Sequence, residues 1–183
     1  MELSTLRLRL DALRPADATA LFDYRADPDV SRFQGWRPVS VTEAADFIER
    51  QADASLDTPD SWFQYAIRLR DGGELIGDLG MHMPPDAEGP VEFGISIAPA
   101  HQGNGYACEA VRAAFELVFG QLGRRRIHAS VDPRNLASMA MLRALGMRQE
   151  AHYRESLWLH GEWVDDVVFA LLASEWHAAQ WAH

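Results

Sequence analysis

Gly103 and Gly105 sit where an alternating apolar segment gives way to an amphipathic one. The stretch reads Pro90-Val-Glu-Phe-Gly-Ile-Ser-Ile-Ala-Pro99, then Ala100-His-Gln-Gly-Asn-Gly-Tyr-Ala107, then Cys108-Glu-Ala-Val-Arg-Ala-Ala-Phe-Glu-Leu-Val-Phe119. Glycine lets the backbone bend and lets a ligand come close to it. A helix opening at such a turn aims unpaired N–H groups and a positive dipole end at one spot, and that spot suits a phosphate. Further along, Asn135 and Ser138 stand one helical turn apart, so both can face one cleft.

Other phosphate and nucleophile motifs fit poorly. A dinucleotide fingerprint needs a third glycine, and position 108 is Cys; that argues against a nucleotide-binding oxidoreductase. A P-loop needs Gly-Lys-Ser/Thr, which does not occur. Gly94-Ile-Ser96-Ile-Ala98 is a near miss to a nucleophile elbow, but it lies inside an alternating strand rather than at a strand-to-helix turn. With no Cys-x-x-Cys and no His-Glu-x-x-His, no metal is expected.

The elements that must position these residues read as mixed α/β. Leu6, Leu8 and Leu10 alternate with Arg7 and Arg9 as a first strand. Helices are expected from Pro15 to about Ala26 and after a Thr42 cap, with Ala44, Phe47, Ile48 and Ala52 on one face. Asp57 to Ser61 reads as a loop. Strands Trp62–Arg70 and Glu74–Met83 join across Asp71-Gly72-Gly73. A turn-rich connection from Met83 to Pro90 leads to strand 90–98 and helix 103–120, whose Val111, Ala114, Phe115, Val118 and Phe119 face the core. Arg126–Asp132 is a short strand ended by Pro133, and Asn135 to Leu145 a helix closed by Gly146. His152–Leu159 and Trp163–Leu172 form a last hairpin across His160-Gly161, and a short helix near Ser174–Trp181 follows.

At 183 residues and 48% apolar composition, the chain is expected to form one globular domain over residues 1–183. No apolar run reaches the length of a membrane span, and the N-terminus reads as a strand rather than a signal peptide. A single Cys108 cannot form an internal disulfide, which is consistent with a cytoplasmic protein. The net charge of −10 argues against nucleic-acid binding. It suits an amine substrate steered by an acidic cleft, and equally suits simple solubility.

Gln102-Gly-Asn-Gly105-Tyr-Ala107 resembles the acyl-CoA pyrophosphate loop of the GNAT N-acetyltransferase superfamily, written Gln/Arg-x-x-Gly-x-Gly/Ala. Asn135-Leu-Ala-Ser138, followed by Leu145-Gly146-Met147, resembles its second signature, with Met147 in place of the usual Phe. The order of elements matches the superfamily over nearly the whole chain. The long N-terminal segment, Ser138 and the tail from Tyr153 to Trp163 look like the RimJ/RimL-like branch. The resemblance implies a mostly antiparallel central sheet flanked by helices, with splayed strands forming the acyl-CoA cleft. It implies direct attack of a primary amine, on a protein N-terminus or a small molecule, on acetyl-CoA, without metal. A noncatalytic acyl-CoA-binding domain is the alternative from another class, and a homodimer through the last hairpin is compatible with the branch.

The resemblance also assigns residues. Backbone from Gln102, Gly103, Asn104, Gly105, Tyr106, Ala107 and Cys108 would hold the pyrophosphate. Ile95, Ser96 and Ile97 would pair with the pantetheine amides once the strands splay after residue 98, where a bulge is common. Asn135 would orient the pantetheine arm or a water, and Arg124 to Arg126 would meet the adenosine 3′-phosphate or simply face solvent. Many relatives carry a Tyr seven residues after the Asn to protonate the CoA thiolate; here that position is Leu142, and the branch's Ser maps to Ser138. Glu92 on the central strand is the first candidate for a water-linked base, and Glu155, in the segment where the branch lines its acceptor site, is the second; each reads equally as a solvated or salt-bridged carboxylate, while His82, His101 and His128 read as structural. Trp36, in the loop from Phe33 to Pro38, is a candidate acceptor-lining residue, and Tyr153, Trp158 and Trp163 would form another wall.

Overall fold

The computed structural model describes residues 2–56, 58–86 and 88–180. Asp57 in the expected loop, Ala87 in the turn-rich connection and Trp181 at the end of the expected last helix lie outside them.

One mixed sheet of eight strands organises the chain: β1 (Leu3–Ser4), β2 (Leu8–Ala12), β3 (Ser61–Leu69), β4 (Leu75–Met83), β5 (Val91–Ile97), β6 (Arg126–Val131), β7 (Arg148–Leu159) and β8 (Glu162–Leu172). The spatial order is β1-β2-β3-β4-β5-β6-β8-β7, and every neighbour is antiparallel except β5 and β6. Between them runs α4 (Tyr106–Phe115), which continues as a π-type turn through Gln121, with Leu122 N–H donating to the Leu117 carbonyl. This helix and α6 (Ala173–Gln180) cover one face, where Phe115 meets Phe93 and Trp176 edge-on. The other face carries α1 (Ala18–Arg25) and α3 (Val41–Gln51), which bury Leu21, Tyr24, Ala44 and Ile48 against Ala66. A short α2 (Pro28–Ser31) and α5 (Leu136–Ala144) flank the splayed region.

Several boundaries differ from the sequence reading. Leu6 is 85% exposed: it lies in the turn between β1 and β2, so the apparent alternation mixes turn and strand. Ser40, not Thr42, caps α3, accepting a bond from the Glu43 N–H. Helix α4 begins at Tyr106 because Gly103 and Gly105 both hold positive φ, near 75° and 78°, which no helical residue adopts. Strand β7 starts four residues earlier than expected, at Arg148, since an exposed edge strand carries polar residues and lacks the apolar signal. The β4–β5 register runs unbroken from Gly77↔Ile97 to His82↔Glu92, so β5 has no bulge there. Asp27 with Pro28 caps and starts α2, which a four-residue helix is too short to announce by periodicity.

Candidate active site

Parallel strands β5 and β6 pair at only two positions, Val91↔Ile127 and Glu92↔His128. Beyond Glu92 they part, earlier than the expected point after residue 98. One edge of residues 93–97 stays paired to β4 and the other faces an opening. Backbone polar groups on such an edge need partners. Here two side-chain amides approach them: Gln102 Nε2 donates to the Ile97 carbonyl at 2.9 Å, and Gln34 Nε2 reaches the Ile95 carbonyl at a long 3.5 Å. The second contact is weak enough for a ligand amide to displace.

The opening is a cleft of about 520 Å³, within the range of small-molecule sites. Ile95, Ser96 and Ile97 form one wall, and Gln102, Gly103, Gly105, Tyr106, Ala107 and Cys108 form its end. Asn135, Ala137, Ser138 and Met141 of the α5 region lie opposite, and Asp29, Val30, Phe33 and Gln34 around α2 close the top. A smaller cavity of about 90 Å³ continues it between β5 residues 93–95 and β6 residues 129–131. Ser138, Asn135 and Ile95 line both.

Local chemistry fixes the two ends. At the loop, Asn104 Nδ2 donates to the His101 and Gln102 carbonyls, so its side chain folds the turn and lies outside the cleft lining. The N–H groups at the start of α4 are left for another acceptor, with no side-chain cap at Gly105. At α5, Asn135 is the helix cap: its Oδ1 accepts from the Ser138 N–H at 3.1 Å. That bond fixes the α5 N-terminus against the cleft and carries Ser138 with it. Gly146, at φ 84°, closes the helix as expected.

Glu92 lines neither cavity. It sits at the vertex of the splay, on the same sheet face as its partners His82 and His128, with Oε2 3.8 Å from His128 Nε2. Burial pushes the His128 imidazole below its usual 6.5, and the Glu92 charge only partly opposes this. His128 Nδ1 is buried without a protein partner among the described residues. Two residues on, Gly94 leaves the same face open: a Cβ built there would meet nothing within 4 Å.

Other expected residues fall elsewhere. Trp36 does not line the cleft; it stacks on Phe47 at 4.5 Å and donates to Glu43, because the apolar face of α3 offers it a better surface. Glu155 is exposed at an irregularity of β7, with φ 46° and its N–H bonded to Asp165. Tyr153, Trp158 and Trp163 are exposed on the last hairpin and border neither cavity. Arg126 is committed to Glu150 through two bonds. Among the described residues no cluster of His, Cys, Asp or Glu could hold a metal ion, and no helix is long and apolar enough to cross a membrane. The sequence reading missed Asp29, Val30 and Met141, with the Asp27-Pro28 pair that starts α2 the available signal for the first two; Gln34 and Ala137 lie within the Phe33–Pro38 loop and the Asn135–Ser138 signature it named, though neither was singled out.

Beneath the cleft wall, Asp78 of β4, opposite Ser96 of β5, is fully buried. It accepts hydrogen bonds from Tyr24, from two nitrogens of Arg25 and from Gln64. Burial and the Asp78 charge push the Tyr24 hydroxyl well above its usual 10. This cluster ties α1 to the strand that supports β5.

The acetyltransferase (GNAT) domain family matches residues 7–148. The chain is 32% identical over 175 residues to the uncharacterized N-acetyltransferase p20 of Bacillus licheniformis, covering 95% of this chain and 97% of that one. It is 27% identical over 181 residues to the [ribosomal protein uS5]-alanine N-acetyltransferase of Escherichia coli, covering 96% and 93%. Its fold superposes on a GNAT-family acetyltransferase structure from Bacillus anthracis with a TM-score of 0.85 at 23% identity, over 95% of this chain and 99% of that one. The chain thus belongs to the GNAT acetyltransferase family and is an acetyl-CoA-dependent N-acyltransferase.

Proposed function

We propose that the cleft binds acetyl-CoA along β5 and that the acetyl group passes directly to an α-amine, of a peptide N-terminus or a small molecule. The observation that carries this reading is that the glycine loop, the open edge of β5 and Ser138 line one continuous cleft. The N–H groups of Gly103 to Cys108 cradle the pyrophosphate, where the α4 dipole favours negative charge. The pantetheine amides pair with Ile95 to Ile97 as an added strand, displacing Gln34 from the Ile95 carbonyl. The thioester then lies at the splay, where a β5 N–H beside the small cavity serves as oxyanion donor.

The acceptor nitrogen approaches over Gly94 and must be neutral. An α-amine of pKa ~7.7–8.0 needs only about 1.4 kcal/mol of help at neutral pH, whereas a lysine needs ~4–5 kcal/mol. Glu92 stands two residues from Gly94 on the same face, with Cα atoms roughly 6.5 Å apart by strand geometry, a span suited to a short chain of ordered water. It therefore takes the proton through water, a modest base suited to an α-amine. Nitrogen attack forms the C–N bond and collapse breaks C–S; the Ser138 hydroxyl passes its proton to the CoA thiolate and regains one, through water, from the ammonium nitrogen of the intermediate, which becomes the amide. The uS5-alanine enzyme among the relatives acts on an amine of this class, by its name.

The test is thiol release from acetyl-CoA by the purified chain across peptides, amino acids, polyamines and aminoglycosides. Release with α-amines, lowered about 100-fold or more in kcat by Ser138→Ala, is the expected result for loss of a general acid. Release with polyamines alone, or full activity in Ser138→Ala, would overturn the acceptor class or the role of Ser138 respectively.

A further inference from the structure

Arg7 lies about a hundred residues before the glycine loop and belongs to no loop motif, yet it is bonded to the loop from behind. Its Nη1 donates to the Asn104 carbonyl at 3.0 Å, and its Nε to Glu109 Oε2 at 2.6 Å. The guanidinium lies 4.6 Å from the Tyr106 ring centroid. Its backbone N–H and the Thr5 hydroxyl both reach Glu109 Oε1, so the β1–β2 turn is tied to the first turn of α4. Gly105 and Tyr106 line the cleft; Arg7, Asn104 and Glu109 do not.

A trans peptide is planar, and its C=O and N–H point in opposite directions. The Asn104 carbonyl and the Gly105 N–H belong to one such peptide. By holding the carbonyl behind the loop, Arg7 turns the Gly105 N–H the other way, toward the cleft. Nothing local enforces that choice, since glycine at φ 78° is free to flip its preceding peptide. Arg7 also neutralises Glu109, a carboxylate in the first turn of α4 that would otherwise repel an anion there. We infer that Arg7 is a positioning residue for the pyrophosphate, presetting the Gly105 amide and masking Glu109. This rests on the reading of the loop as the pyrophosphate site given above.

Two ligands separate the alternatives: coenzyme A and pantetheine, which lacks the pyrophosphate. Both are titrated calorimetrically against the full chain, pantetheine by displacement. The wild type should bind coenzyme A far more tightly. Arg7→Ala should weaken coenzyme A roughly tenfold, the scale of one charge-assisted hydrogen bond, and leave pantetheine within about twofold. Arg7→Lys keeps the charge but not the fork that serves Glu109 and Asn104 together, and should also lose affinity for coenzyme A. The Arg7→Ala/Glu109→Gln pair removes the stray carboxylate and should remain weaker than wild type, because the carbonyl is still unheld. Full recovery in that pair would reduce Arg7 to a charge mask and overturn the positioning role. Thr5→Val loosens the same turn while sparing the Arg7–Asn104 bond. It should leave coenzyme A binding unchanged even if the melting temperature falls; an equal loss would overturn the proposal as general destabilisation. A wild type that binds both ligands alike would sink the loop reading and this inference with it. A wild-type preference that survives intact in Arg7→Ala would sink this inference alone.

Discussion

Replacing Arg25 by Leu should be among the most damaging single changes in this protein, although Arg25 lies outside the cleft lining and meets it at Gln34 Oε1 through a long 3.5 Å contact. Its guanidinium is buried against Asp78, and the Asp78 charge raises its pKa overall, although burial alone would lower it. Removing the cation strands a fully buried carboxylate that retains only Tyr24 and Gln64 as donors. Breaking a buried pair in this way costs about 3–5 kcal/mol. Against a typical total of about 5–15 kcal/mol, that takes the protein close to its threshold. With a urea slope of about 2 kcal/mol/M, the midpoint should fall by roughly 2 M. Combining Arg25→Leu with Asp78→Asn should restore most of the loss. The asparagine carbonyl oxygen still accepts from Tyr24 or Gln64 and needs no cation. The assay is urea unfolding of the four proteins of this double-mutant cycle, which should return a coupling of about 2 kcal/mol or more. Single variants that each lose less than about 1 kcal/mol, with an additive double, would refute the account of a buried charge that depends on its partner.

Asn135→Ala should lower stability by about 0.5–2 kcal/mol through loss of the α5 cap, while Asn135→Asp retains most of it; thermal unfolding of the two variants checks this. Gly105→Ala places a side chain at φ 78°, a strain of about 1–2 kcal/mol, and should weaken coenzyme A binding in titration more than Gly94→Ala, whose site is open. His128 supplies a pH dependence. Its folded pKa lies below the usual 6.5, so below that pH the unfolded chain takes the proton first, and stability falls as pH drops toward the folded value. Replacing it with Gln should flatten the stability profile below pH 6.5, measured by denaturant unfolding at successive pH values; an unchanged slope would show that other groups set it.

Much of this arrangement was legible because it depends on local demands. Gly103 and Gly105 advertise positive φ, Gly146 a helix end and His160-Gly161 a tight hairpin, and each turned out so in the structure. The loop, the β5 segment, Asn135 and Ser138 do line one cleft, since a strand–turn–helix unit carries its own geometry. What escaped the sequence depends on partners distant in the chain. Where β5 loses β6 is set by how α4 and β6 return to the sheet, and no residue near 92 signals it. Trp36 looked like a pocket aromatic because its stacking partner, Phe47, lies on a separate helix. Leu6 fitted a two-residue period by chance, since Leu8 and Leu10 belong to β2 while Leu6 itself lies in the turn before it. Glu92 was singled out as a lone carboxylate, and only strand register reveals that it comes with His82 and His128.

An open strand edge in mid-sheet ordinarily invites a second molecule to add its own strand and begin an aggregate. Here the gap between β5 and β6 is closed at one end by their remaining pairing, roofed by α2 and walled by α5. A folded neighbour's strand cannot enter so confined a slot, but a slender extended ligand can. Gln34 and Gln102 meanwhile occupy two of the exposed carbonyls. The same geometry that would make a sheet sticky at its rim makes it selective within, and the protein keeps a template for β-pairing without the hazard of polymerising on it.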